Sequence, residues 1–433
     1  HRIRLTSTRQ SMTILLPAFH AALLLFLAWR YRKAETGLRI FFWPAFGFKV
    51  FSAVCVGLLY TFYYHTADTF AYFDDGSKLA GLALSDFSAW CDVLLSDKIP
   101  DSLHLNFNQP RALFLVKITS VFNILTANNY WIISAYYAAI SFSGAWCLVK
   151  TIQRHIPAAT LPAVLAFLFF PSVVFWTSGL LKESLAVGAL YYLAAIFLKV
   201  WFRERLRFAD PLLAVAALWI FWNLKYYYAA VFIPVVVATL AYRFLVSRRI
   251  SSATVEASIW IVLLAVPLAS VMFLHPNFYP HRLFSVILAN NAAYNALSDP
   301  GGVVHFHNLQ PTALSLAANA PWALFSGLFR PLLAEASEPV SILASIENTA
   351  VLVLFGGAVW RIKKYGSSPH RLLILAAAVY VIALCILLTF SAPNFGTLSR
   401  YRSGYYSFFV FLLLCDNPFF RSVQRSFQGL VSH

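Results

Sequence analysis

Long apolar stretches dominate this sequence, and the polar residues cluster in the short segments between them. A helix of about 20 apolar residues crosses about 30 Å of hydrocarbon, and it pairs its own backbone N–H and C=O groups. The pattern therefore predicts an all-α, polytopic helical membrane bundle with about eleven transmembrane helices. The predicted spans cover residues 12–29, 40–64, 130–149, 160–177, 181–200, 210–224, 227–242, 256–274, 342–360, 372–390 and 404–416.

Basic residues between the spans predict which loops face the cytoplasm. Six segments hold 19 of the 33 Lys and Arg residues and only two acids, Glu35 and Glu204. The positive-inside tendency places all six on one side, which requires that the apolar stretches 112–127 and 312–330 do not cross. We predict that those two stretches are re-entrant or interfacial helices and that the extreme N-terminus lies outside. The six segments are residues 30–39, 150–155, 199–207, 243–249, 361–371 and 417–433.

The composition leaves little room for a soluble domain. Of the 433 residues, 60% are hydrophobic and 12% are charged, whereas soluble domains carry about 25% charged residues. We therefore predict a single integral membrane domain over residues 1–433. The net charge of +16 does not predict nucleic-acid binding, because the basic residues lie in short loops where they hold helix ends.

The first outward segment, residues 65–129, begins with acids. Asp68 lies at the end of the second predicted span, and Asp74 and Asp75 follow it. A carboxylate at a half-dry interface can have a raised pKa and take a proton from a hydroxyl group, so these three are the candidate catalytic residues. The alternative is that Asp68 caps a helix and that Asp74-Asp75-Gly76 is a turn.

The stretch "NFGTLSRYRSGYY", residues 394–406, places Arg400 and Arg402 on an outward turn before the last predicted span. The positive-inside tendency disfavours arginine on that side, so an anionic partner is the functional interpretation. Guanidinium groups bind phosphate through two parallel hydrogen bonds. The alternative is that both arginines extend to lipid headgroups.

The stretch "FFPSVVFWTSGLLKES", residues 169–184, ends with Lys182 and Glu183 in the first turn of a predicted span. A helix N-terminus and a lysine together favour an anion, although Glu183 would repel that anion unless it is paired. The alternative is a plain helical hairpin. Two further candidates for phosphate contact are Lys225, among aromatic residues, and Arg330, before a proline.

The second outward segment, residues 275–341, contains "HFH" at residues 305–307, with Asp299 nearby. Two imidazoles on one face of an extended chain can bind a divalent metal, but without a third ligand an exposed loop is favoured. We name no metal ligand and no cofactor, and leave a divalent ion open. The sequence contains no nucleotide-binding loop, no serine-hydrolase elbow and no zinc-protease motif, which disfavours those classes of enzyme.

"FPSVVFWTSGLLKESLA" and "NFGTLSRYR" resemble stretches of multi-spanning bacterial envelope glycosyltransferases of the GT-C type, including the O-antigen polymerase-like and EpsG-like proteins. The architectural resemblance covers most of the chain. The family resemblance implies a multi-pass protein of the bacterial inner (cytoplasmic) membrane that acts in envelope polysaccharide biosynthesis. One departure is that the paired acids follow the second predicted span rather than the first.

The resemblance also implies a mechanism and partners. A sugar would leave a polyprenyl-phosphate donor, Arg400, Arg402 and Lys182 would neutralise the departing phosphate, and Asp68 or Asp74 would act on the acceptor hydroxyl. The expected partners are a polyprenyl-phosphate lipid, a glycan, lipid or protein acceptor, membrane lipids and an envelope protein complex. Two alternatives stay open: a polymerase or ligase of lipid-linked glycans that needs no carboxylate base, and a non-enzymatic transporter or structural subunit.

Overall fold

The computed structural model of the protein describes residues 2–32, 38–64, 68–246, 250, 252–360 and 368–420, with side chains from residue 15 onward. Parts of the predicted cytoplasmic segments 30–39, 243–249, 361–371 and 417–433 therefore lie outside the described residues. The described part of the chain is helical, and its one β-contact is an isolated bridge between Val303 and Asn394.

Seventeen α-helices are present among the described residues. In chain order they are α1 (Arg2–Arg32), α2 (Arg39–Phe62), α3 (Asp68–Ser85), α4 (Phe87–Ser96), α5 (Pro110–Thr126), α6 (Tyr130–His155), α7 (Thr160–Val164), α8 (Pro171–Trp176), α9 (Lys182–Trp201), α10 (Ala209–Leu245), α11 (Ala253–Val271), α12 (Leu283–Ala296), α13 (Ala313–Phe329), α14 (Pro339–Trp360), α15 (Arg371–Ser391), α16 (Phe395–Tyr401) and α17 (Tyr406–Leu414).

Seven of the described helices are long and apolar enough to cross a membrane, and the protein is a multi-pass membrane protein. These seven are α2, α6, α9, α10, α11, α14 and α15. The predicted spans 210–224 and 227–242 both lie within α10, and the break that the sequence predicts between them is present as a kink at Lys225, whose backbone angles are not helical. The stretches predicted as re-entrant or interfacial form α5 and α13, single helices of 17 residues each.

The shorter helices begin where the sequence supplies a cap. Asp86 accepts a hydrogen bond from the backbone N–H of Ala89 and starts α4, and Thr312 accepts one from Ser315 and starts α13. Asn394 does the same for α16 through Thr397. Such caps satisfy N–H groups that have no partner within the helix.

The chain divides into two compact units, and the first consists of His1–Lys150, Val174–Ala195 and Phe208–Lys225. In this unit α3 packs against α4 and α5. Helices α6 and α9 cross closely, because a Cβ atom on Gly144 would lie 2.0 Å from the carbonyl oxygen of Gly188. Small residues permit this approach of two backbones in a membrane.

The second unit consists of Thr151–Val173, Ile196–Arg207 and Tyr226–His433. Here α15 packs against α12, α13 and α17, and α14 packs against α13 and α17. One apolar cluster joins α12, α13 and α15 through four buried residues: Ile287, Leu316, Ala323 and Phe390. Two of the predicted arginines lie in this unit between α15 and α17: Arg400 in the last turn of α16 and Arg402 in the turn that follows it.

Candidate functional site

In the first unit, the N-terminus of α9 follows a five-residue break in the helix pattern, residues 177–181. Gly179 has φ of +73°, a left-handed conformation that side chains disfavour, and Ser184 Oγ donates to its carbonyl oxygen at 2.7 Å. Lys49, buried in α2, donates to Thr177 Oγ1 at 2.5 Å. The break that the sequence predicts around Gly179 is therefore a structured turn that presents Lys182 and Glu183.

Glu183 is paired with another of the predicted residues. Its Oε1 atom accepts a hydrogen bond from Lys225 Nζ at 2.6 Å, and both side chains are buried. Lys225 thereby neutralises the carboxylate that would otherwise repel an anion at the N-terminus of α9. A buried ion pair holds each charge in place and removes both from solvent, so Glu183 and Lys225 are structurally committed to each other.

Lys182 lies against α3, the helix that carries the candidate acids. Its Nζ atom lies 5.2 Å from the ring centre of Tyr72, which stacks on Phe107. Thr69, directly after Asp68, donates from its hydroxyl to the carbonyl oxygen of Leu180 at 2.9 Å. The first unit therefore brings the start of α3 and the start of α9 together.

Asp75 is buried and bound by the loop that follows α4. Its Oδ1 atom accepts from the backbone N–H and the side-chain amide of Asn106, at 3.0 and 2.9 Å, and Oδ2 accepts from Phe107 N at 3.0 Å. Lys78 lies 3.4 Å from Oδ1. This geometry favours a structural role for Asp75. Asp74 is exposed on α3. The interpretation of Asp74-Asp75-Gly76 as a turn is wrong, because all three residues lie within this helix.

In the second unit, Arg330 is held by a nearby carboxylate. Its Nε and Nη2 atoms lie 2.8 and 2.5 Å from Glu335 Oε1, and its guanidinium lies over the rings of Trp322 and Phe395. Burial alone would raise the pKa of Glu335, but the hydrogen bonds from Arg330 and Leu332 N and the charge of Arg330 outweigh it and lower the pKa. Two nitrogen atoms of the Arg330 guanidinium, Nε and Nη2, thus already donate hydrogen bonds to Glu335.

Arg402, unlike Arg330, has no carboxylate partner in the described protein. It begins a 3-10 turn between α16 and α17, is 1% exposed, and its guanidinium carbon lies 4.5 Å from the ring centre of Tyr406. Its Nε and Nη2 atoms are buried and have no hydrogen-bond partner in the described protein. A buried donor without a partner costs free energy, more so when it is charged, and native proteins seldom retain one without a reason.

Tyrosine hydroxyls fix the backbone of that turn. Tyr380 donates to the carbonyl oxygen of Gly404 at 2.9 Å, and Tyr228 donates to that of Tyr401. Gly404 allows the approach, because a Cβ atom there would lie 2.3 Å from the ring of Tyr228. Arg402 therefore stands on a rigid support.

Arg400 lies at the end of α16 beside a group of tyrosines. Its guanidinium carbon lies 5.5 Å from the ring centre of Tyr401, whose hydroxyl lies 3.3 Å from that of Tyr294. Burial first, and then the neighbouring Tyr401, raise the pKa of Tyr294, while the charge of Arg400 opposes the shift. Arg400 and Arg402 are thus close in sequence and differ in their surroundings.

Glu347 is a residue that the sequence analysis missed. It lies in α14, where its Oε2 atom accepts from the backbone N–H of Ser172 at 2.9 Å, while its Oε1 atom is buried without a hydrogen-bond partner in the described protein. The signal was present, since Glu347 is the one acid within the apolar stretch 342–360. Ionisable residues inside apolar membrane segments are costly and commonly functional.

A metal centre is not apparent among the residues that the structure describes, which contain no group of three or more His, Cys, Asp or Glu able to hold an ion. The extended stretch with His305 and His307 is held by other bonds: His305 Nε2 lies 2.9 Å from the carbonyl oxygen of Pro300, and the His307 backbone donates to Asn319.

In the first unit, Lys182 and the segment that carries Asp68 lie at the contact between α3 and α9, and Glu183 and Lys225 form the buried ion pair. Arg330, Arg400 and Arg402 belong to the second unit. The sharing of one site by the acids and the arginines stays a prediction. Comparison of the chain with protein-family models, with curated proteins and with solved structures finds no match to any of them.

Proposed function

We propose that the protein is a GT-C-like membrane glycosyltransferase that moves a sugar from a polyprenyl-phosphate donor to a glycan, lipid or protein acceptor. In this proposal the chain crosses the inner membrane of a bacterium about eleven times, α5 and α13 are interfacial or re-entrant, and transfer occurs on the extracytoplasmic side. Support comes from the architecture of several apolar helices and from the resemblance of the two quoted sequence stretches.

One observation carries the proposal: the buried guanidinium of Arg402 keeps two N–H donors that no group of the described protein uses. A phosphate offers acceptors for both donors and also the charge that a buried guanidinium needs. Arg330 differs, because Glu335 already occupies its donors. Arg402 is therefore the residue that we assign to the phosphate of the donor.

The chemistry follows from this assignment. Negative charge grows on the phosphate oxygen as the bond to the sugar breaks, and a cation fixed in advance stabilises that charge without rearranging. The tyrosine bonds to the turn provide this fixation. The long isoprenoid chain would lie among the apolar helices, and no nucleotide is required at this site.

Two measurements on the full-length protein in lipid nanodiscs test the proposal. The first is binding of polyprenyl phosphate, and the second is transfer from a panel of radiolabelled polyprenyl-phosphate hexoses to acceptor or to water. We expect Arg402→Gln to lower transfer about 10²- to 10³-fold, as for loss of one preorganised donor. Arg205→Gln, in an exposed segment, is the matched control. Wild-type protein that binds no lipid phosphate and transfers no hexose would rule the function out.

A second candidate, a polymerase or ligase of lipid-linked glycans, is favoured by one specific observation. Asp75, one of the acids named as catalytic, is fully engaged by Asn106 and Phe107. A polymerase or ligase that relies on arginines needs no carboxylate base. Asp68→Asn should leave a polymerase active on lipid-pyrophosphate oligosaccharides, whereas it should impair a transferase only where Asp68 is the base; activity on lipid-pyrophosphate oligosaccharides but not on polyprenyl-phosphate hexoses therefore identifies the polymerase.

A further inference from the structure

A second polar group lies beside Arg402 in the same unit. Tyr406, whose ring faces the Arg402 guanidinium, donates to the carbonyl oxygen of Leu328 at 3.1 Å and also lies 3.3 Å from Asn348 Oδ1. Asn348 follows Glu347 directly on α14. The ring of Phe170, two residues before Ser172, contacts Tyr406 with 5.6 Å between ring centres. Tyr406 is thus bordered by the segments that supply Arg402, Glu347 and Ser172.

The charges of Arg402 and Glu347 act on one another and on Tyr406, yet no ion pair or hydrogen bond joins the two side chains in the described structure. Three buried polar atoms of these two residues lack a hydrogen-bond partner in the described protein: Arg402 Nε, Arg402 Nη2 and Glu347 Oε1. The first two are obligate donors, and the third is an acceptor when the carboxyl group is ionised. Such a set complements a ligand that has both a phosphate and a hydroxyl group.

We infer that Glu347 is the carboxylate that takes the proton from the acceptor hydroxyl in this site. The inference rests on the proposed function and replaces Asp68 or Asp74 in that role. Glu347 Oε1 accepts the hydroxyl proton as the hydroxyl oxygen bonds to the anomeric carbon of the donor sugar. The bond between that carbon and the phosphate oxygen breaks, and its electron pair leaves with the phosphate, which Arg402 holds.

The geometry around Glu347 suits this task. The bond from Ser172 N fixes Oε2 and leaves Oε1 to the ligand. General bases of this kind contribute about 10²- to 10⁴-fold to a rate when they are within hydrogen-bond reach of the proton. Exposed Asp74 and the fully bound Asp75 offer no comparable combination of burial and an unused oxygen atom.

Transfer kinetics of Glu347→Gln provide the direct test. We expect the rate of hexose transfer to fall about 10²- to 10⁴-fold, with polyprenyl-phosphate binding within about twofold of wild type. Glu338→Gln, at an exposed acid just before the same helix, is the matched control and should transfer at the wild-type rate. A Glu347→Gln variant that transfers normally while Arg402→Gln does not would overturn this inference and leave the proposed function intact.

Azide distinguishes a base from a structural carboxylate. Because azide is already an anion, it attacks the anomeric carbon without giving up a proton, and the products are a glycosyl azide and polyprenyl phosphate. We expect azide to restore sugar release by Glu347→Gln and not by Arg402→Gln. Absence of restoration in a Glu347→Gln protein that still binds polyprenyl phosphate would contradict the role.

A measurement on the wild-type protein covers the case in which the variants do not fold. A hydrophobic carbodiimide modifies carboxyl groups in apolar sites, and mass spectrometry locates the modified residue. We expect modification at Glu347 and protection by added polyprenyl phosphate, with no protection by a neutral polyprenol. Modification of Glu347 that polyprenyl phosphate leaves unchanged would place it outside the lipid-phosphate site and overturn the inference.

Discussion

Two pairs of charged residues in this protein differ in how completely the fold uses their polar atoms. In the first unit, Lys225 and Glu183 are bonded to each other at 2.6 Å. In the second, Arg402 and Glu347 act on each other only at a distance, and each keeps polar atoms without a protein partner. A paired buried charge contributes to the fold, whereas an unused one carries a cost that a ligand can offset. The second unit is therefore where we place the chemistry.

We expect the largest effect from variants that break the buried ion pair between Lys225 and Glu183. Lys225→Met leaves the Glu183 carboxylate buried without its cation, and Glu183→Gln does the converse, so each should destabilise the protein by about 3–5 kcal/mol. The double variant should recover most of this loss, because no uncompensated charge remains. Thermal unfolding in detergent measures the differences. Single variants as stable as the wild type would show that the pair is not structural.

A smaller effect is expected at the bound carboxylate of the first unit. Asp75→Asn turns one acceptor oxygen into a donor facing the N–H groups of Asn106 or Phe107, which should cost about 1.5–3 kcal/mol. The exposed neighbour Asp74→Asn is the control and should leave the unfolding temperature unchanged. If Asp74→Asn abolishes hexose transfer at full stability, the assignment of the base to Glu347 is wrong.

A substitution of Arg402 tests whether a charged side chain without hydrogen bonds to the protein contributes less to stability than a paired one. Because its Nε and Nη2 atoms bond to nothing in the described protein, Arg402→Met releases no bonded partner and loses mainly the contact with the ring of Tyr406. Because removing the unused buried charge also removes its cost, we expect a loss of about 1 kcal/mol at most, well below that of Lys225→Met, together with loss of transfer. Thermal unfolding of the two methionine variants side by side checks this. Equal destabilisation would mean that Arg402 is structural.

The smallest effect concerns the pH dependence of the Arg330–Glu335 pair. Since the pKa of Glu335 is lowered from its ordinary value of 4.5 in the folded state, its contribution is complete above that value and is lost as the pH falls through the folded pKa. The contribution should be about 0–1 kcal/mol. Unfolding temperatures measured across this range should fall less for Glu335→Gln than for the wild type, and identical pH profiles would contradict the prediction.

Hydrophobic patterning predicted the class of fold well, because a long apolar helix is recognisable from composition alone. It also predicted a break between 210–224 and 227–242, which the structure has as a kink at Lys225, but it did not predict that the residues on both sides of Lys225 would stay helical. The roles of single polar residues were likewise not predictable from the sequence. The sequence predicts no role for Asp86 within the segment 65–129, and only the structure shows that it caps α4 through its bond to Ala89.

The sequence by itself determined a helical multi-pass protein, the break before Lys182 and the unusual arginines near residue 400, because these depend on local composition and spacing. Only the tertiary structure decided which charges are used within the fold. Glu183 finds Lys225 42 residues away, and Ser172 binds Glu347 175 residues away. Partners so distant in sequence meet through helix packing, and no local pattern reveals which donor is left for a ligand.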